Sequence, residues 1–268
     1  MSGRPPLVGK RALVTGSSAP LGAGIAERLA QEGAEVCLHG RDAGRLEQEH
    51  QRLAATGTRV HAVLGSLSTD AEAAAVADAV EAAMGGVDIL VNNAGGESAG
   101  GGRTEWLDVD PETWNATYNS NVASMIRMIR RFVPGMKERG WGRLIQLSSV
   151  SVDTPMTLIP DYQAAKAAIR SLTRSLAMTL AGTGITANSV SPGLTRSHGP
   201  ERWLRSIAAD MGWPEDWPSL KAQVESTMIR NFAGMIGEPV NIAHVVAFLA
   251  DPRADFVNAQ DIVADGGH

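Results

Sequence analysis

The order in which short and long hydrophobic segments follow one another most constrains the fold of this chain. Short apolar runs alternate with longer amphipathic stretches along its length. Strands that alternate with helices pair in parallel, with crossovers of one hand and helices on both faces of the sheet. The pattern therefore predicts an α/β fold built on a doubly wound parallel sheet. The predicted strands are 11–15, 35–39, 59–64, 88–92, 143–148, 185–191 and 261–264. The predicted helices are 21–32, one beginning after Asp42, 70–84, one opened by Asp110 and Pro111, 162–181 and 240–250.

The composition is that of an ordinary globular protein, with 44% apolar and 20% charged residues in 268. We expect a single domain over 1–268, because the chain contains no repeat or linker. A net charge of -5 offers no basic face to nucleic acid. The start of the chain lacks the apolar core of a signal peptide, and no apolar run has membrane-spanning length, so we expect a cytoplasmic protein. The single Cys37 excludes a disulfide framework and a cysteine metal cluster, and predicts a buried structural thiol.

Tyr162 and Lys166 are four residues apart, which places both side chains on one face of a helix. A nearby ammonium favours the phenolate form of tyrosine. Free tyrosine titrates near ~10, so chemistry at neutral pH asks for a drop of about 3 units, or about 4 kcal/mol. The pair therefore predicts a phenol that exchanges protons, and the alternative is an incidental pair on a helix surface.

The segment from Thr15 to Gly22 joins the first predicted strand to the first helix. Glycine there lets the backbone approach a diphosphate, which the helix amides then hold. A glycine-bearing turn by itself is equally consistent with a tight turn of no function. Its position between strand and helix favours a dinucleotide site, because doubly wound sheets bind ligands at the carboxyl ends of their strands.

Together these segments resemble the short-chain dehydrogenase/reductase family, which has a Rossmann-type fold. The family's Thr-Gly-x-x-x-Gly-x-Gly motif is matched by Thr15, Gly16 and Gly22, with Pro20 at the middle glycine. Proline fixes φ and removes an N–H donor, so we expect the loop to follow a different route there. Ser17, Ser18 and the helix start at Leu21 remain as phosphate donors. The segment Asn92-Asn93-Ala94-Gly95 matches a second family motif in full.

The resemblance also implies a catalytic set. The family's serine stands thirteen residues before the tyrosine, which selects Ser149, and its asparagine stands twenty-eight residues earlier, which selects Asn121. In this set Ser149 donates to the substrate oxygen and Tyr162 transfers the proton. Lys166 lowers the tyrosine pKa and hydrogen-bonds the nicotinamide ribose, and Asn121 holds a water that links Lys166 to solvent.

The cofactor expected from the resemblance is NADP(H), with NAD(H) possible. The family's NAD-selecting acid falls on Gly40, and Arg41 follows, which suits a 2′-phosphate. Asp42 is assigned to the helix cap, and a solvated Arg41 is the alternative. The other residues that the resemblance assigns to cofactor binding are Ser66, Leu67, Asn93, Ala94, Gly95, Pro192, Gly193, Thr195 and Ser197.

The substrate is the least constrained feature. The segment 198–238 corresponds to the family's substrate lid, and its tryptophans and methionines suit an apolar or cyclic ketone. The alternative is that they pack the lid onto its own domain or onto a neighbouring subunit. We expect the loop 95–102 to be flexible beside the site and 151–160 to line the pocket.

Three functions are compatible with these features. The first is an NADP(H)-dependent carbonyl reductase acting on a small molecule. The second is a 3-oxoacyl-[acyl-carrier-protein] reductase, with Arg127, Arg130 and Arg131 as candidates for carrier docking. The third is a non-catalytic dinucleotide-sensing protein. A homodimer or homotetramer is expected from the resemblance alone, and no metal is expected.

Overall fold

The structure is a computed structural model, and it describes residues 5–96, 98, 105–154 and 157–267. Seven parallel strands form one sheet in the order β3-β2-β1-β4-β5-β6-β7. The strand order reverses between β1 and β4, which is the point where such sheets bind ligands. The strands are β1 Arg11–Val14, β2 Glu35–Gly40, β3 Val60–Leu64, β4 Ile89–Asn92, β5 Gly142–Leu147, β6 Ile185–Pro192 and β7 Asp261–Ala264. The predicted α/β fold with a doubly wound parallel sheet is confirmed.

Nine α-helices are described within these ranges, and they cover both faces of the sheet. They are α1 Pro20–Gln31, α2 Ala43–Ala54, α3 Asp70–Met84, α4 Pro111–Tyr118, α5 Ser124–Glu138, α6 Pro160–Thr179, α7 His198–Met211, α8 Trp217–Thr227 and α9 Pro239–Ala250. Asp42 caps α2 by accepting from the Arg45 amide at 3.0 Å, and Asp110 caps α4 in the same way. Both predicted caps are confirmed.

Each face of the sheet has its own hydrophobic core. One core joins α3, α5 and α6 to the sheet through residues such as Val76, Met128 and Ile169. The other joins α1, α2 and α9 to the opposite face through residues such as Ile25, Leu46 and Val246. These two cores fix the helices that carry the candidate site relative to the strand ends.

The predicted long helix after Pro111 contains a π-helical turn. The helix runs as α4, then as π-helix from Asn119 to Ala123, and continues as α5. A π turn inserts one extra residue and rotates the side chains that follow it, and such turns are frequent at functional sites. Asn121 lies in this turn and is 1% exposed.

Cys37 is fully buried in β2, as predicted, and burial raises the pKa of its thiol to about 12. No helix within the described ranges has the length and the apolar character that crossing a membrane requires. The described residues contain no group of three His, Cys, Asp or Glu side chains placed to hold a metal ion.

Candidate active site

The turn after β1 lies against the turn after β4. Gly16 has φ +70°, and a Cβ there would come within 2.9 Å of the Ala94 Cα. A Cβ on Gly22 would come within 2.6 Å of the Asn93 side-chain nitrogen. Both positions therefore need glycine because the backbone is closely approached and, at Gly16, because φ is positive. The two matched glycines shape the turn at the strand-order reversal.

Pro20 is the first residue of α1, where its fixed φ suits a helix and its missing N–H has no intrahelical partner. Pro20, in place of the family's middle glycine, therefore removes one amide donor from the helix terminus. The proline begins the helix and does not interrupt it. Ser17 is fully buried, and both of its donors are used inside the protein. Its amide donates to the His39 carbonyl at 2.8 Å and its hydroxyl donates to the Val14 carbonyl at 2.9 Å.

His39 supports the same turn from β2. The Gly16 amide donates to its Nδ1 at 3.2 Å, and the ring is 3% exposed. Burial lowers the pKa of His39 to about 4, so the imidazole is neutral at physiological pH and available as an acceptor. Sequence reasoning missed this role, and its only signal was a polar residue at the end of an otherwise apolar strand.

At the end of β2, the Ser18 side chain of the glycine turn packs directly against Gly40. A Cβ on Gly40 would meet the Ser18 Cβ at 2.7 Å, so Ser18 fills the space above this residue. Arg41 is exposed and forms no ion pair with the described residues. The Asp42 carboxylate is turned to its cap and to Arg45, at 3.4 Å. The positive charge at this strand end is therefore unopposed by its neighbouring acid.

The turn after β4 is tied to β1 by several hydrogen bonds. The Asn93 and Ala94 amides donate to the Thr15 hydroxyl at 3.1 and 2.9 Å, and the Asn93 side chain donates to the Thr15 and Gly16 carbonyls. Asn92 donates to the buried Gln146 side chain at 2.8 Å. Gly95 has φ +154°, and a Cβ there would come within 2.5 Å of the Asn121 side-chain oxygen. This motif locks three central strands together.

Lys166 is buried beneath the sheet edge with its ammonium turned inward. Its Nζ donates to the Leu147 carbonyl at 2.9 Å and lies 5.3 Å from the centre of the Tyr162 ring. Burial lowers the pKa of Lys166 from 10.5 to about 8. The ammonium therefore remains mostly protonated at neutral pH, next to the half-buried ring of Tyr162. The Ser148 hydroxyl donates to the Lys166 carbonyl at 3.0 Å, which fastens α6 to β5.

Ser149 follows β5 and caps a short 3-10 turn formed by Val150–Val152. Its Oγ accepts from the Ser151 amide at 3.2 Å and from the Ser151 hydroxyl at 3.0 Å. Because both bonds use Ser149 as the acceptor, its own O–H is left to donate elsewhere. The side chain is half-buried.

Asn121 bonds mainly to backbone groups. Its amide nitrogen donates to the Thr117 carbonyl at 3.0 Å and to the Gly96 carbonyl at 3.2 Å, and its oxygen accepts from the Gly96 amide at 3.3 Å. Thr117 in turn donates to the buried Asp161 at 2.5 Å, next to Tyr162. The structure thus brings Asn121 to the same corner of the molecule as the tyrosine helix.

The segment after β6 crosses the same edge. Gly193 is close to the Asp265 backbone, where a Cβ would come within 2.7 Å of its Cα. The Leu194 carbonyl and the Arg196 amide both pair with Gly237, at 2.9 and 2.8 Å. The Thr195 amide and carbonyl therefore point the opposite way, as alternate groups do in a strand. Pro192 and Ser197 begin and end this segment, and both are half-buried.

Ser66 and Leu67, after β3, are held by neighbouring elements. The Ser66 hydroxyl donates to Glu72 at 3.0 Å, and Leu67 is buried with its carbonyl accepting from Arg127 at 3.0 Å. Ser66 keeps an acceptor lone pair at the strand end, whereas the Leu67 side chain belongs to the core.

The lid segment has a hydrophobic cluster of its own. Leu204, Ala208, Leu220, Val224 and Ile236 are buried together, and the three tryptophans Trp203, Trp213 and Trp217 pack against them. The tryptophans thus hold α7 to α8, in agreement with the alternative that they pack the lid. Parts of the two predicted loops, residues 97, 99–102, 155 and 156, lie outside the described residues.

These donors fit a dinucleotide. Each group lies at the carboxyl end of a strand. The glycine turn follows β1, Arg41 follows β2, the Thr195 backbone follows β6, and the Lys166 ammonium bonds to the end of β5. Positive and N–H donor groups spread along one edge suit a ligand with several phosphates and a polar ring.

Comparison with known proteins agrees with this geometry. The family model for short chain dehydrogenases matches residues 10–205. Human dehydrogenase/reductase SDR family member 4 is 33% identical over 272 residues, covering 100% of this chain and 90% of its own. The structure of L-sorbose reductase from Gluconobacter frateurii, complexed with NADPH and L-sorbose, has a TM-score of 0.90 at 30% identity and covers 99% of this chain and 98% of that chain. A 3-oxoacyl (acyl-carrier-protein) reductase from Agrobacterium tumefaciens, with NADP bound, has a TM-score of 0.85 at 30% identity and covers 99% and 96%.

The fold and the matches define an oxidoreductase that acts on CH–OH or carbonyl groups with a nicotinamide dinucleotide. The chain belongs to the short-chain dehydrogenase/reductase family.

Proposed function

We propose that this chain interconverts a ketone and a secondary alcohol with NADP(H), using Asn121, Ser149, Tyr162 and Lys166. The observation that carries the proposal is the inward, buried ammonium of Lys166 next to the Tyr162 ring, 5.3 Å from its centre. A desolvated positive charge there favours the phenolate, which a proton-exchanging tyrosine requires. The nicotinamide of the bound cofactor supplies or accepts the hydride.

Each residue has a role set by its contacts. Ser149 donates its O–H to the substrate oxygen, because its lone pairs are engaged by Ser151. Tyr162 gives the proton to that oxygen in reduction and takes it back in oxidation. Lys166 holds the charge beside Tyr162 and would donate to the ribose of a bound cofactor. Asn121 would hold the water that links Lys166 to solvent.

NADP(H) is proposed over NAD(H) because Arg41 is exposed at the end of β2 and the Asp42 carboxylate is engaged by its helix cap. Gly40 carries no acid that would accept from a free ribose hydroxyl, and Ser18 fills the space a side chain would need. A guanidinium binds a phosphate through two donors, which strengthens the preference.

We propose a hydroxylated ketone as the substrate class, chiefly on the likeness to an L-sorbose reductase. The apolar expectation depended on the lid tryptophans and methionines. The tryptophans pack within the lid, whereas Met235 lines the cavity. A cavity of about 700 Å³ beside Gly193 and Thr195 offers the polar side chains of Asn241 and Asp265 within a lining that is mainly apolar.

The carrier-protein alternative has less support. Arg127 pairs with Asp70 at 2.7 Å, and Arg131 pairs with Asp78 and Glu81 at 2.6 and 2.7 Å. Two of the three arginines considered for docking are therefore neutralised by acids of the same chain. A 3-oxoacyl thioester is still included among the substrates to be tested, because the chain resembles a 3-oxoacyl (acyl-carrier-protein) reductase in structure.

The test is the change in nicotinamide absorbance with L-sorbose, a cyclic ketone and a 3-oxoacyl thioester, each with NADPH and with NADH. We expect turnover with NADPH and a hydroxylated ketone, and its loss in Tyr162→Phe with NADPH binding retained. Absence of turnover with all three substrates, while NADPH binds, would favour the dinucleotide-sensing function. Full turnover by pure Tyr162→Phe would contradict the role given to the phenol.

A further inference from the structure

Arg170 lies on the same face of α6 as the proposed catalytic pair. Tyr162, Lys166 and Arg170 follow one another at intervals of four residues, so their side chains line one side of the helix. Only 15% of the Arg170 side chain is exposed. An arginine this deeply buried needs partners for its charge and its five donors.

The guanidinium grips both ends of the turn that follows β5. Its Nη2 donates to the Ser149 carbonyl at 3.0 Å. Its Nη1 donates to both carboxylate oxygens of Asp153 at 2.8 and 2.7 Å. Ser149 begins the 3-10 turn and Asp153 ends it, so one side chain fixes the length and direction of the whole turn.

This turn is what orients the Ser149 hydroxyl. The amide and the hydroxyl of Ser151, inside the turn, donate to Ser149 Oγ. With those lone pairs engaged, the direction in which Ser149 can donate its own proton is set by where Ser151 lies. Arg170 therefore acts on the Ser149 hydroxyl through the backbone of the turn.

The other side of the guanidinium is anchored to the sheet. Its Nε lies 3.0 Å from Asp261, the first residue of β7, and it donates to the Ser191 hydroxyl at 3.1 Å. Asp261 also accepts from Ser189 at 2.6 Å and from Ser191 at 2.9 Å. The planar guanidinium of Arg170 is thus held by β6 and β7. Because the same group bonds to Ser149 and Asp153, it ties the turn at residues 149–153 to these strands.

The turn also forms part of the cavity wall. Val150, Asp153 and Thr154 line the same cavity of about 700 Å³ as Gly193 and Leu194. A displacement of the turn would therefore change both the serine hydroxyl and the shape of the space next to it.

We propose that Arg170 is a positioning residue of the active site, which holds the 149–153 turn so that Ser149 and the cavity wall keep their places. The proposal rests on the proposed function for its kinetic consequence, and it makes a separate prediction about the turn itself. Arg170 does not touch the reacting atoms.

The first experiment compares Arg170→Ala with Arg174→Ala, which removes an exposed arginine one turn further along α6. A misplacement of about 1 Å can lower turnover about 100-fold, so we expect kcat of Arg170→Ala to fall between about 10- and 100-fold. The Kd for NADPH should stay within about twofold of wild type in both variants. Added methylguanidinium should restore part of the lost kcat in Arg170→Ala, and Arg174→Ala should behave as wild type.

Hydrogen exchange of the segment 149–154 tests the turn without turnover. Arg170→Ala should exchange faster there than wild type and Arg174→Ala, whether or not a substrate has been found. Asp153→Asn, which weakens the same tie and keeps Arg170, should also exchange faster at 149–154. Because Asp153 lines the cavity, this variant should raise KM more than it lowers kcat. If Arg170→Ala does not fold, Asp153→Asn decides the question by exchange and by KM.

Unchanged exchange in 149–154 for Arg170→Ala, or for Asp153→Asn where it replaces that variant, would overturn the proposal. A kcat within twofold of wild type in Arg170→Ala would also overturn it. Absence of wild-type turnover on every substrate tested would count against the proposed function only, because the exchange result stands independently of turnover.

Discussion

The buried ammonium of Lys166 has a consequence for stability that can be calculated from the structure. Burial lowers the pKa of Lys166 from 10.5 to about 8. At about 1.4 kcal/mol per pKa unit, keeping the charged form buried costs about 3 kcal/mol at neutral pH. Replacement by methionine removes this cost, and also leaves the Leu147 carbonyl without its donor, which costs about 1–3 kcal/mol.

The sign of the pH dependence follows from proton counts. Between pH 8 and 10.5 the unfolded chain keeps a proton on Lys166 that the folded chain has released, so wild-type stability gains with rising pH. Lys166→Met has no such titration. The free energy of unfolding of the variant minus that of wild type should therefore decrease by between about 2 and 3 kcal/mol from pH 7 to pH 10.

Urea unfolding of both proteins at pH 7 and pH 10 measures this difference, and other titrating groups cancel in the subtraction. Lys137→Met, at an exposed position of α5, provides the matched control and should show a difference constant within about 0.5 kcal/mol. Lys166→Met should also lose turnover, in addition to showing this decrease in the difference of unfolding free energy. A difference for Lys166→Met that stays constant from pH 7 to pH 10 would refute a buried, pKa-shifted ammonium.

Three further outcomes are expected. Arg41→Ala should raise the Kd for NADPH about 10- to 100-fold, since a charge-assisted bond contributes about 1.5–3 kcal/mol, and leave the Kd for NADH nearly unchanged, as measured by fluorescence titration. Wild type should lose about 3 kcal/mol of stability between pH 6.5 and 4, because burial lowers the pKa of His39 to about 4, and urea unfolding of His39→Gln should show that much less acid sensitivity. Leu220→Ala, in the fully buried lid cluster, should open a cavity costing about 2–4 kcal/mol and speed limited proteolysis within 198–238.

The sheet and its helices could be predicted from periodicity because strand and helix patterns repeat within each local segment. Strand β7 and helix α3 have the predicted bounds, and the other predicted strands, α1, α6 and α9 differ by one or two residues at their ends. Helices α7 and α8 were not predicted, and the long helix after Pro111 contains a π turn. Pro20 was predicted to reroute the glycine turn, whereas it begins α1. A proline at a helix start and one within a loop look alike in sequence, since only the fold decides which amide is missing.

Some residues of the candidate site could be predicted from the sequence and others could not. Offsets from Tyr162 selected Ser149 and Asn121. The structure places Ser149 against Arg170 of α6 and Asn121 in a π turn that contacts α6. His39 and Arg170 were not found, because their partners lie 17 or more residues away along the chain. The destination of the lid tryptophans could not be predicted either, since an amphipathic lid helix buries its apolar face equally well against a ligand or against its neighbour.

The bonds between α6 and the end of β5 explain why different variants should alter different kinetic constants. Leu147 accepts from Lys166, Ser148 donates back to the Lys166 carbonyl, and Ser149 accepts from Arg170. Three consecutive residues are thus fastened to one helix through Lys166 and Arg170, so a change at either residue moves the proton donors and alters kcat. The lid cluster shares none of these bonds. Variants such as Leu220→Ala should therefore change KM and leave the pH dependence of kcat as it is in wild type.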